Sequence, residues 1–306
     1  MWKVTTGAGT YAVKELNLTR DWPCDFDAVF TLEDRAWRAG LPLPRPIPNP
    51  SGCPVARFDD VDTSVLVHEW VDGVAVPYRP VEDSFAAAVG DALARLHRLD
   101  VGWPASRAVP TRPPRRETWG ELARTAAELC FPWADRLAAT VPTFQRVERL
   151  VDEWEPLGGD VVVTHRDLGQ KNLLDSGGAP LILDWEASGP APSAHELGAT
   201  ALSLASDSLL IELKPVVLQA VVVGYRAAGG RVPVPGPHWF SMLLSNWRHF
   251  LRWNVLRCID HRRDLHQAHG PSVEVAHAVV ERGLTAIPAI MASLDRLTEI
   301  LDDACS

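Results

Sequence analysis

The sequence lacks the features that mark secreted, disulfide-rich or membrane-spanning proteins. None of its apolar runs reaches the roughly eighteen residues of a membrane-spanning helix, and its first residues do not form a signal peptide. Its five cysteines are scattered without a CxxC pair, so neither a disulfide framework nor a cysteine metal site is indicated. We therefore expect a soluble, cytoplasmic protein without a membrane partner.

Positive charge is also scarce. The 306 residues carry a formal net charge of −9, which argues against nucleic acid as a partner and slightly favours cationic substrates. A chain of this length can bury a large core, and we expect two lobes. Strand patterns dominate the first part of the chain. The remainder is mainly helical, with helices expected near 84–99, 118–139, 142–155, 193–206, 214–228, 237–260, 271–283 and 285–304.

One polar loop carries the strongest chemical signal. Asp167 follows an apolar strand, Asn172 comes five positions later, and a further strand ends at Asp184. Phosphoryl transfer needs a group that positions the acceptor hydroxyl and oxygen ligands for Mg²⁺, which usually takes one or two carboxylates plus phosphate oxygens and water. The spacing therefore predicts that Asp167 is the catalytic base and that Asn172 and Asp184 bind Mg²⁺.

A simpler explanation exists for each of these residues taken alone. A single His-x-Asp is common by chance, and an Asp after a strand is often a helix cap or a turn residue. The joint pattern of Asp167, Asn172 and Asp184 is much rarer and matches the kinase catalytic loop and metal-binding Asp. It therefore favours phosphoryl transfer over a purely structural role.

A lysine near the start of the chain is the second candidate. Two strands flank Gly7-Ala8-Gly9 as a hairpin, and Ala12 and Lys14 share one face of the second strand. A small residue two positions before a lysine leaves room for a flat base, while the ammonium can reach its phosphates. An exposed edge-strand lysine is the alternative.

An acidic residue is predicted on the buried face of the following helix, near Asp25 to Ala39. Glu33 falls on the same stripe as Phe30 and Trp37. Since a buried carboxylate usually has a partner, Lys14 is the natural candidate. We expect Glu33 to support nucleotide binding through that pair.

Two further strands are predicted next, and the segment that follows them is predicted to be the hinge between the two lobes. The chain passes from an apolar strand into His68-Glu69-Trp70-Val71-Asp72-Gly73. Its backbone carbonyl and amide could bind an adenine edge, at Glu69 and Val71. We therefore divide the chain into a nucleotide-binding lobe, 1–72, and a catalytic and acceptor-binding lobe, 73–306.

These motifs together resemble the aminoglycoside phosphotransferase and choline kinase group. The similarity runs through Tyr-Ala-Val-Lys at 11–14, Glu-Trp-Val-Asp-Gly at 69–73, Leu-Ala-Arg-Leu-His at 93–97, the loop 165–172 and Asp-Trp-Glu at 184–186. The resemblance implies a two-lobed, α+β, protein-kinase-like fold with ATP or GTP as co-substrate. It also implies that Lys14 binds phosphates, Asp167 serves the acceptor and Asn172 and Asp184 bind Mg²⁺.

The sequence departs from that group in several places. Only thirteen residues precede Lys14, too few for the first strand and Gly-rich loop of the N-lobe. Arg166 stands where the group usually has a small residue, and Gly169 replaces a larger one. Lys171 is either a replacement cation or, more simply, a solvent-facing lysine.

The segment after Asp184 favours small acceptors over proteins. Few residues separate Asp184 from the helix expected near Ser193, too few for an activation segment that binds a peptide. We therefore expect a kinase for a hydroxyl of an antibiotic or a small metabolite. Acceptor-pocket candidates are Glu196, Asp207, Glu212, Trp239, Trp247, Trp253, Asp260 and Asp264. The alternative is a catalytically weak, kinase-like protein that binds a nucleotide or small ligand.

Overall fold

A computed structural model describes residues 1–16, 25–58, 63–104, 117–207, 209, 211–263 and 272–305. The strands within these residues are β1 Trp2–Thr6, β2 Gly9–Glu15, β3 Val55–Phe58, β4 Thr63–Glu69, β5 Val74–Ala75, β6 Val161–Thr164, β7 Leu173–Ser176, β8 Ala179–Ile182 and β9 Gly189–Pro192. The helices are α1 Phe26–Arg38, α2 Asp83–His97, α3 Trp119–Glu128, α4 Ala134–Trp154, α5 Ser193–Ala205, α6 Pro215–Ala227, α7 Ser241–Arg262 and α8 Val273–Cys305.

The first part of the chain forms an antiparallel sheet, the N-terminal sheet, with strand order β1-β2-β4-β3. The predicted hairpin joins β1 to β2, with the turn at Gly7 and Ala8. In the β2-β4 pair, Lys14 lies opposite Leu66 and Ala12 opposite His68. Because directly opposed residues point to the same face, this register places Lys14 and His68 on one side of the sheet.

Helix α1 begins where a side chain replaces a missing backbone partner. Asp25 accepts a hydrogen bond from the Ala28 amide, which is one of the unpaired donors at the start of every helix. The buried face of α1 includes Val29, Leu32 and Glu33. The predicted burial of Glu33 is thus confirmed.

Two glycines bring helices α2 and α6 into backbone contact. A Cβ on Gly90 would lie 2.1 Å from the Val221 carbonyl oxygen, and one on Gly224 would lie 2.0 Å from the Ala87 carbonyl oxygen. No side chain can occupy either position at this separation. This crossing fixes the position of α2. The last residue of α2, His97, contacts Thr164 at the end of β6, the strand that leads into the polar loop.

The helix boundaries expected near residues 139 and 142 differ from the observed ones. Helix α4 continues through Pro142, and the break occurs earlier, where Cys130 adopts a left-handed φ of 55°. The amides of Cys130 and Phe131 donate hydrogen bonds to the carbonyls of Ala127 and Ala126 at the end of α3. These backbone hydrogen bonds determine where the helix ends. A proline inside a helix removes only one such bond from a helix held by packing.

Helix α8 is also continuous where a break was expected near residue 284. Gly283 gives Leu251 of α7 room to approach, since a Cβ there would lie 3.0 Å from the leucine Cδ1. Among the described residues α8 alone is long and apolar enough to cross a membrane, and 44% of its most apolar window is buried within the protein. Core helices of this length share these properties.

Two small sheets carry the polar loop. Strand β6 pairs antiparallel with β9. Strands β7 and β8 form a hairpin, and β5 pairs antiparallel with β7. The loop that contains Asp167 runs from β6 to β7, and Asp184 follows β8 directly. The hairpin therefore returns the chain so that Asp184 lies beside the loop.

Candidate functional site

The polar loop is held at both ends by hydrogen bonds to the segment before Asp184. The His165 Nε2 lies 2.9 Å from the Leu183 carbonyl oxygen, and the Leu183 amide donates to the Asn172 carbonyl at 2.9 Å. An Asp167 amide contact of 3.3 Å to His165 Nδ1 completes the arrangement. The segment that carries Asp184 is therefore held against the loop from Asp167 to Asn172.

Asp167 is oriented by two neighbours on that loop. Its Oδ2 accepts from Asn172 Nδ2 at 3.0 Å and from Lys171 Nζ at 2.8 Å. The Asp167 side chain keeps about 30% of its surface exposed, so a small molecule can reach it. Lys171 is therefore an ion-pair partner of the predicted base, and its side chain also faces solvent, as the sequence suggested.

Gly169 packs closely against Ser203 of α5, whose hydroxyl would have to move to admit a side chain. A Cβ there would lie 2.7 Å from Ser203 Oγ of α5, and the glycine backbone is extended, so close packing rather than backbone conformation accounts for the glycine. Gln170 fixes the same turn by donating to the carbonyls of Arg79 and Ser206. Lys171 is thus the cation of this loop nearest to Asp167.

Lys14 binds two carboxylates across the cleft. Its Nζ lies 2.6 Å from Asp184 Oδ1 and 2.6 Å from Glu186 Oε1. Burial opposes the charge of Lys14, but the two carboxylates outweigh burial and raise its pKa above the ordinary value. Likewise burial raises the pKa of Asp184, but Lys14 chiefly reverses this effect and leaves the pKa low. Both charges are therefore maintained.

Asp184 also has an unusual backbone. Its φ of 61° and ψ of 62° lie in the left-handed region, which residues other than glycine rarely adopt. Such strain at a polar residue in a cleft is typical of functional sites. The conformation turns the chain into the short helical turn that carries Glu186 toward Lys14.

Glu33 does not pair with Lys14 as predicted. Its Oε1 lies 3.2 Å from His68 Nε2, and among the described residues Lys14 pairs with Asp184 and Glu186. His68 shares the sheet face of Lys14, and because it lies opposite the small Ala12 its imidazole can reach α1. The pairing prediction is wrong because it depended on how α1 and the segment after β8 pack against the sheet, which the sequence alone does not specify.

Only some of the backbone groups in the predicted adenine-binding segment are free to bind a ligand. The Glu69 amide already donates to the Arg45 carbonyl at 2.9 Å, and the Trp70 amide donates to the Thr10 carbonyl at 2.9 Å. Within the described part of the chain the Val71 backbone makes no hydrogen bond. The groups available to a ligand are therefore the Glu69 carbonyl and the Val71 amide, and both roles stay predictions.

A buried network beneath the loop was not expected from the sequence. Thr164 donates to the Glu196 carboxylate and lies 2.9 Å from His97 Nε2, while His97 Nδ1 lies 2.9 Å from the Tyr225 hydroxyl. Burial raises the pKa of Glu196, but hydrogen bonding by His97 and further neighbours leave that pKa below its usual value. Only the Leu-Ala-Arg-Leu-His motif hinted at this support.

A cavity of about 220 Å³ opens beside Asp167. Of the predicted acceptor-pocket residues, Glu196, Asp207 and Trp247 line it, whereas Trp239 is fully buried in the core. Glu212, Trp253 and Asp260 are not part of this lining, and Asp264 lies outside the described residues. Arg166, Phe250 and Arg282 also line the cavity and were not predicted as acceptor contacts.

The oxygen atoms of the site suit a hard cation. Asn172 uses its Nδ2 toward Asp167, which leaves its Oδ1 without a partner among the described residues, and Asp184 uses only Oδ1 toward Lys14. No cluster of three or more His, Cys, Asp or Glu with metal-binding geometry occurs in the described ranges. One amide and one carboxylate oxygen match the few protein ligands that Mg²⁺ usually takes.

Residues 1–232 match the model of the phosphotransferase enzyme family. Comparison with curated protein sequences gives no match. Among solved structures, a spectinomycin phosphotransferase in complex with ADP and spectinomycin has 12% sequence identity to this chain and a TM-score of 0.66. The match covers 95% of this chain and 88% of the spectinomycin phosphotransferase.

Two further structures are similar at low identity. An amicoumacin kinase in complex with AMP-PNP and Ca²⁺ is 13% identical over 93% of this chain and 84% of its own, with a TM-score of 0.60. A choline/ethanolamine kinase family protein from Mesorhizobium loti is 15% identical over 95% and 86%, with a TM-score of 0.54. The predicted two-lobed, kinase-like α+β fold is confirmed.

Proposed function

The chain belongs to the phosphotransferase enzyme family, and from that membership we propose that it is a Mg²⁺-dependent kinase that transfers the γ-phosphoryl group of ATP or GTP to a small-molecule hydroxyl. Phosphotransfer to an alcohol acceptor is the activity that this membership carries. The finer assignments, which are the nucleotide, the metal and the catalytic base, are supported by the site.

The observation that carries the proposal is the convergence of four side chains on one cleft. Lys14 reaches across from the N-terminal sheet to Asp184, and Asp167 is bonded to Asn172 on the adjoining loop. His165 and Lys171 are near enough to Asp184 to lower its pKa, after the larger contribution of Lys14. This arrangement supports the assignment of Asp167 as the base, Lys14 as the phosphate-binding cation and Asn172 and Asp184 as the metal ligands.

The chemistry of the step follows from these positions. The acceptor oxygen forms a bond to the γ-phosphorus, the bond from that phosphorus to the β–γ bridging oxygen breaks, and the hydroxyl proton passes to Asp167. Lys14 binds phosphate oxygens, and Lys171 holds the Asp167 carboxylate in place. Mg²⁺ bound by Asn172 and Asp184 would neutralise charge on the phosphates.

Neighbouring structures support a nucleotide co-substrate and a small acceptor. The spectinomycin phosphotransferase holds ADP with spectinomycin, and the amicoumacin kinase holds AMP-PNP with Ca²⁺. The short stretch between Asp184 and α5 leaves no room for a peptide-binding segment. We assign the acceptor to antibiotics or small metabolites, and a cytoplasmic location goes with such a substrate.

The test is a screen of purified protein with Mg²⁺ and ATP or GTP against a broad panel of hydroxyl compounds. Mass spectrometry should detect a phosphate-sized increment on at least one acceptor. Nucleotide binding without transfer to any acceptor would instead support the alternative of a kinase-like binding protein. A thermal shift that requires both Mg²⁺ and ATP would separate a metal-dependent site from a metal-independent one.

A further inference from the structure

The acceptor cavity has largely apolar walls, and its charged lining residues are Arg166, Asp167, Lys171, Glu196, Asp207 and Arg282. Leu202 of α5 and Met242, Leu243 and Trp247 of α7 form much of its lining. At about 220 Å³ it is smaller than the roughly 300–1,000 Å³ of common ligand pockets. An acceptor would therefore place one ring or one short chain there, with its hydroxyl toward Asp167.

The carboxylates around this cavity are already engaged by the protein. Glu196 is fully buried and accepts from Thr164 and, at 3.4 Å, from the Leu168 amide. Asp167 is paired with Lys171, and Asp207 Oδ1 accepts from the Glu212 amide at 3.0 Å. Of the carboxylates in the described lining, only Asp207 therefore has no buried or cationic partner, which is fewer than a polycationic aminoglycoside would need.

Arg166 differs from these carboxylates, because no described residue forms an ion pair with it. A Cβ added to Gly189 would lie 3.0 Å from Arg166 Nη1 and 3.7 Å from the Trp103 ring, so the guanidinium packs against the backbone of β9 at Gly189. No residue in the described part of the chain accepts a hydrogen bond from it or lies at ion-pair distance. Burial lowers its pKa, and the more distant Glu196 partly opposes that effect, but an arginine stays charged.

A partly buried guanidinium without a carboxylate partner loses part of its hydration, a cost that an anionic ligand would offset. The backbone adds a second cost, because Arg166 adopts a left-handed φ of 66° that glycine would take without strain. The Arg166 carbonyl accepts from Asn246 on α7, so this conformation is part of the cavity wall. Both costs are explained if the side chain serves a bound molecule.

We infer that the acceptor carries a carboxylate close to its reactive hydroxyl and that Arg166 binds this carboxylate. A guanidinium presents paired donors that match the two oxygens of a carboxylate. The more exposed Arg282 lines the same cavity and adds positive charge. This assignment rests on the proposed kinase function and replaces the cationic acceptor that the acidic net charge slightly favoured.

The test compares three analogues that share one carbon framework and differ in charge: an anion, a neutral compound and a cation. The probes are para-(hydroxymethyl)benzoate, its carboxamide and its aminomethyl analogue, together with aliphatic hydroxy acids and their amides. Dissociation constants are measured by calorimetry without nucleotide, so the result does not depend on phosphotransfer. We expect at least one acid to bind about tenfold or more tightly than its amide, because charged hydrogen bonds are worth about 1.5–3 kcal/mol.

Variants assign the preference to one side chain. Arg166→Gly suits the left-handed backbone and should reduce the ratio of acid to amide affinity to near one, with the melting temperature maintained. Arg166→Lys should keep part of the preference, and Arg282→Gln should change it less than Arg166→Gly does.

Three results would overturn the inference: no acid binds better than its amide, the amine binds best, or the preference survives in Arg166→Gly. A failure of the proposed function has a different signature. In that case the acids bind with the expected preference, but Mg²⁺ with ATP or GTP phosphorylates none of the probes or panel compounds.

Discussion

Lys14 and Glu186 lie 2.6 Å apart, which ties the N-terminal sheet to a residue two positions beyond Asp184. The Glu186 side chain is only 6% exposed, so this ion pair is largely removed from solvent. Lys14 is therefore a structural connection between the two parts of the molecule as well as the predicted phosphate ligand.

Replacing this lysine should affect nucleotide binding and stability together. In Lys14→Met we expect the dissociation constant for Mg-ATP to rise about tenfold or more, since a charged contact to phosphate is lost. Calorimetric titration checks this expectation. Lys214→Met is the matched control, because Lys214 is an exposed lysine just before α6 and lies outside the predicted nucleotide site. Equal affinities for Lys14→Met and the wild type would remove Lys14 from the nucleotide site.

Asp167→Asn should stop chemistry without removing the nucleotide. The amide cannot accept the hydroxyl proton as a carboxylate does, so kcat on any acceptor found by the screen should fall about 10²–10⁴-fold. Mg-ATP affinity and the melting temperature should stay near wild type. Asp91→Asn serves as the control, because Asp91 pairs with Arg95 on the surface of α2. A kcat near the wild-type value would exclude Asp167 as the base.

Lys171 should contribute to the same step because Gly169 cannot. In Lys171→Met we expect kcat to fall about tenfold, an amount in the range of a lost charged hydrogen bond. Lys171→Arg should recover most of the loss, since the ion pair to Asp167 can re-form. Steady-state kinetics of the wild type and the two variants measure this effect. Full activity of Lys171→Met would show that Lys171 does not contribute to phosphotransfer.

The buried His195 should make the protein less stable in mild acid. Burial chiefly, with His238 nearby, lowers the pKa of His195 to about 4. The unfolded state therefore binds a proton below pH ~6.5 that the folded state resists until about pH 4, so stability falls as pH drops through this window. Between pH ~7.5 and ~5 the loss should be about 2 kcal/mol.

Urea unfolding at a series of pH values measures this loss. His195→Gln removes the titrating ring, so its stability should depend less on pH over the same window by about that amount. Identical pH slopes for the variant and the wild type would show that other groups cause the acid sensitivity.

The contact between α2 and α6 predicts opposite effects of the same substitution at two glycines. Gly224→Ala forces a methyl group into the Ala87 carbonyl and should lower the free energy of unfolding by about 1–3 kcal/mol or more. Gly120→Ala, on the exposed face of α3, should raise it by up to about 1 kcal/mol. Chemical denaturation compares the two, and equal effects would contradict the close crossing.

The parts of the site that are near each other in the chain could be predicted from the sequence. The spacing of Asp167, Asn172 and Asp184 reflects one loop and one hairpin, so it predicted their proximity directly. The ion pairs of Lys14 and the contact of Glu33 with His68 depend on strand register and on packing between distant segments. Pattern and spacing carry no information on either.

Backbone conformation was equally invisible in the sequence. Arg166 was recognised as a departure from the family pattern, but its left-handed φ and its place in the cavity wall come only from the structure. The end of α3 was missed because an ordinary residue, Cys130, adopts the helix-ending conformation, while Pro142 lies inside a continuous helix. Packing overrides local propensity at Pro142, whereas backbone hydrogen bonds place the end of the helix at Cys130.

The glycine contacts between helices differ in how a mutation there could be compensated. Gly90 and Gly224 face main-chain atoms, so no second substitution on the opposite helix can restore the missing space. Gly283 instead faces the side chain of Leu251, which a smaller residue could replace. A suppressor screen should therefore recover partners for Gly283→Ala at position 251 and none at positions facing Gly90 or Gly224.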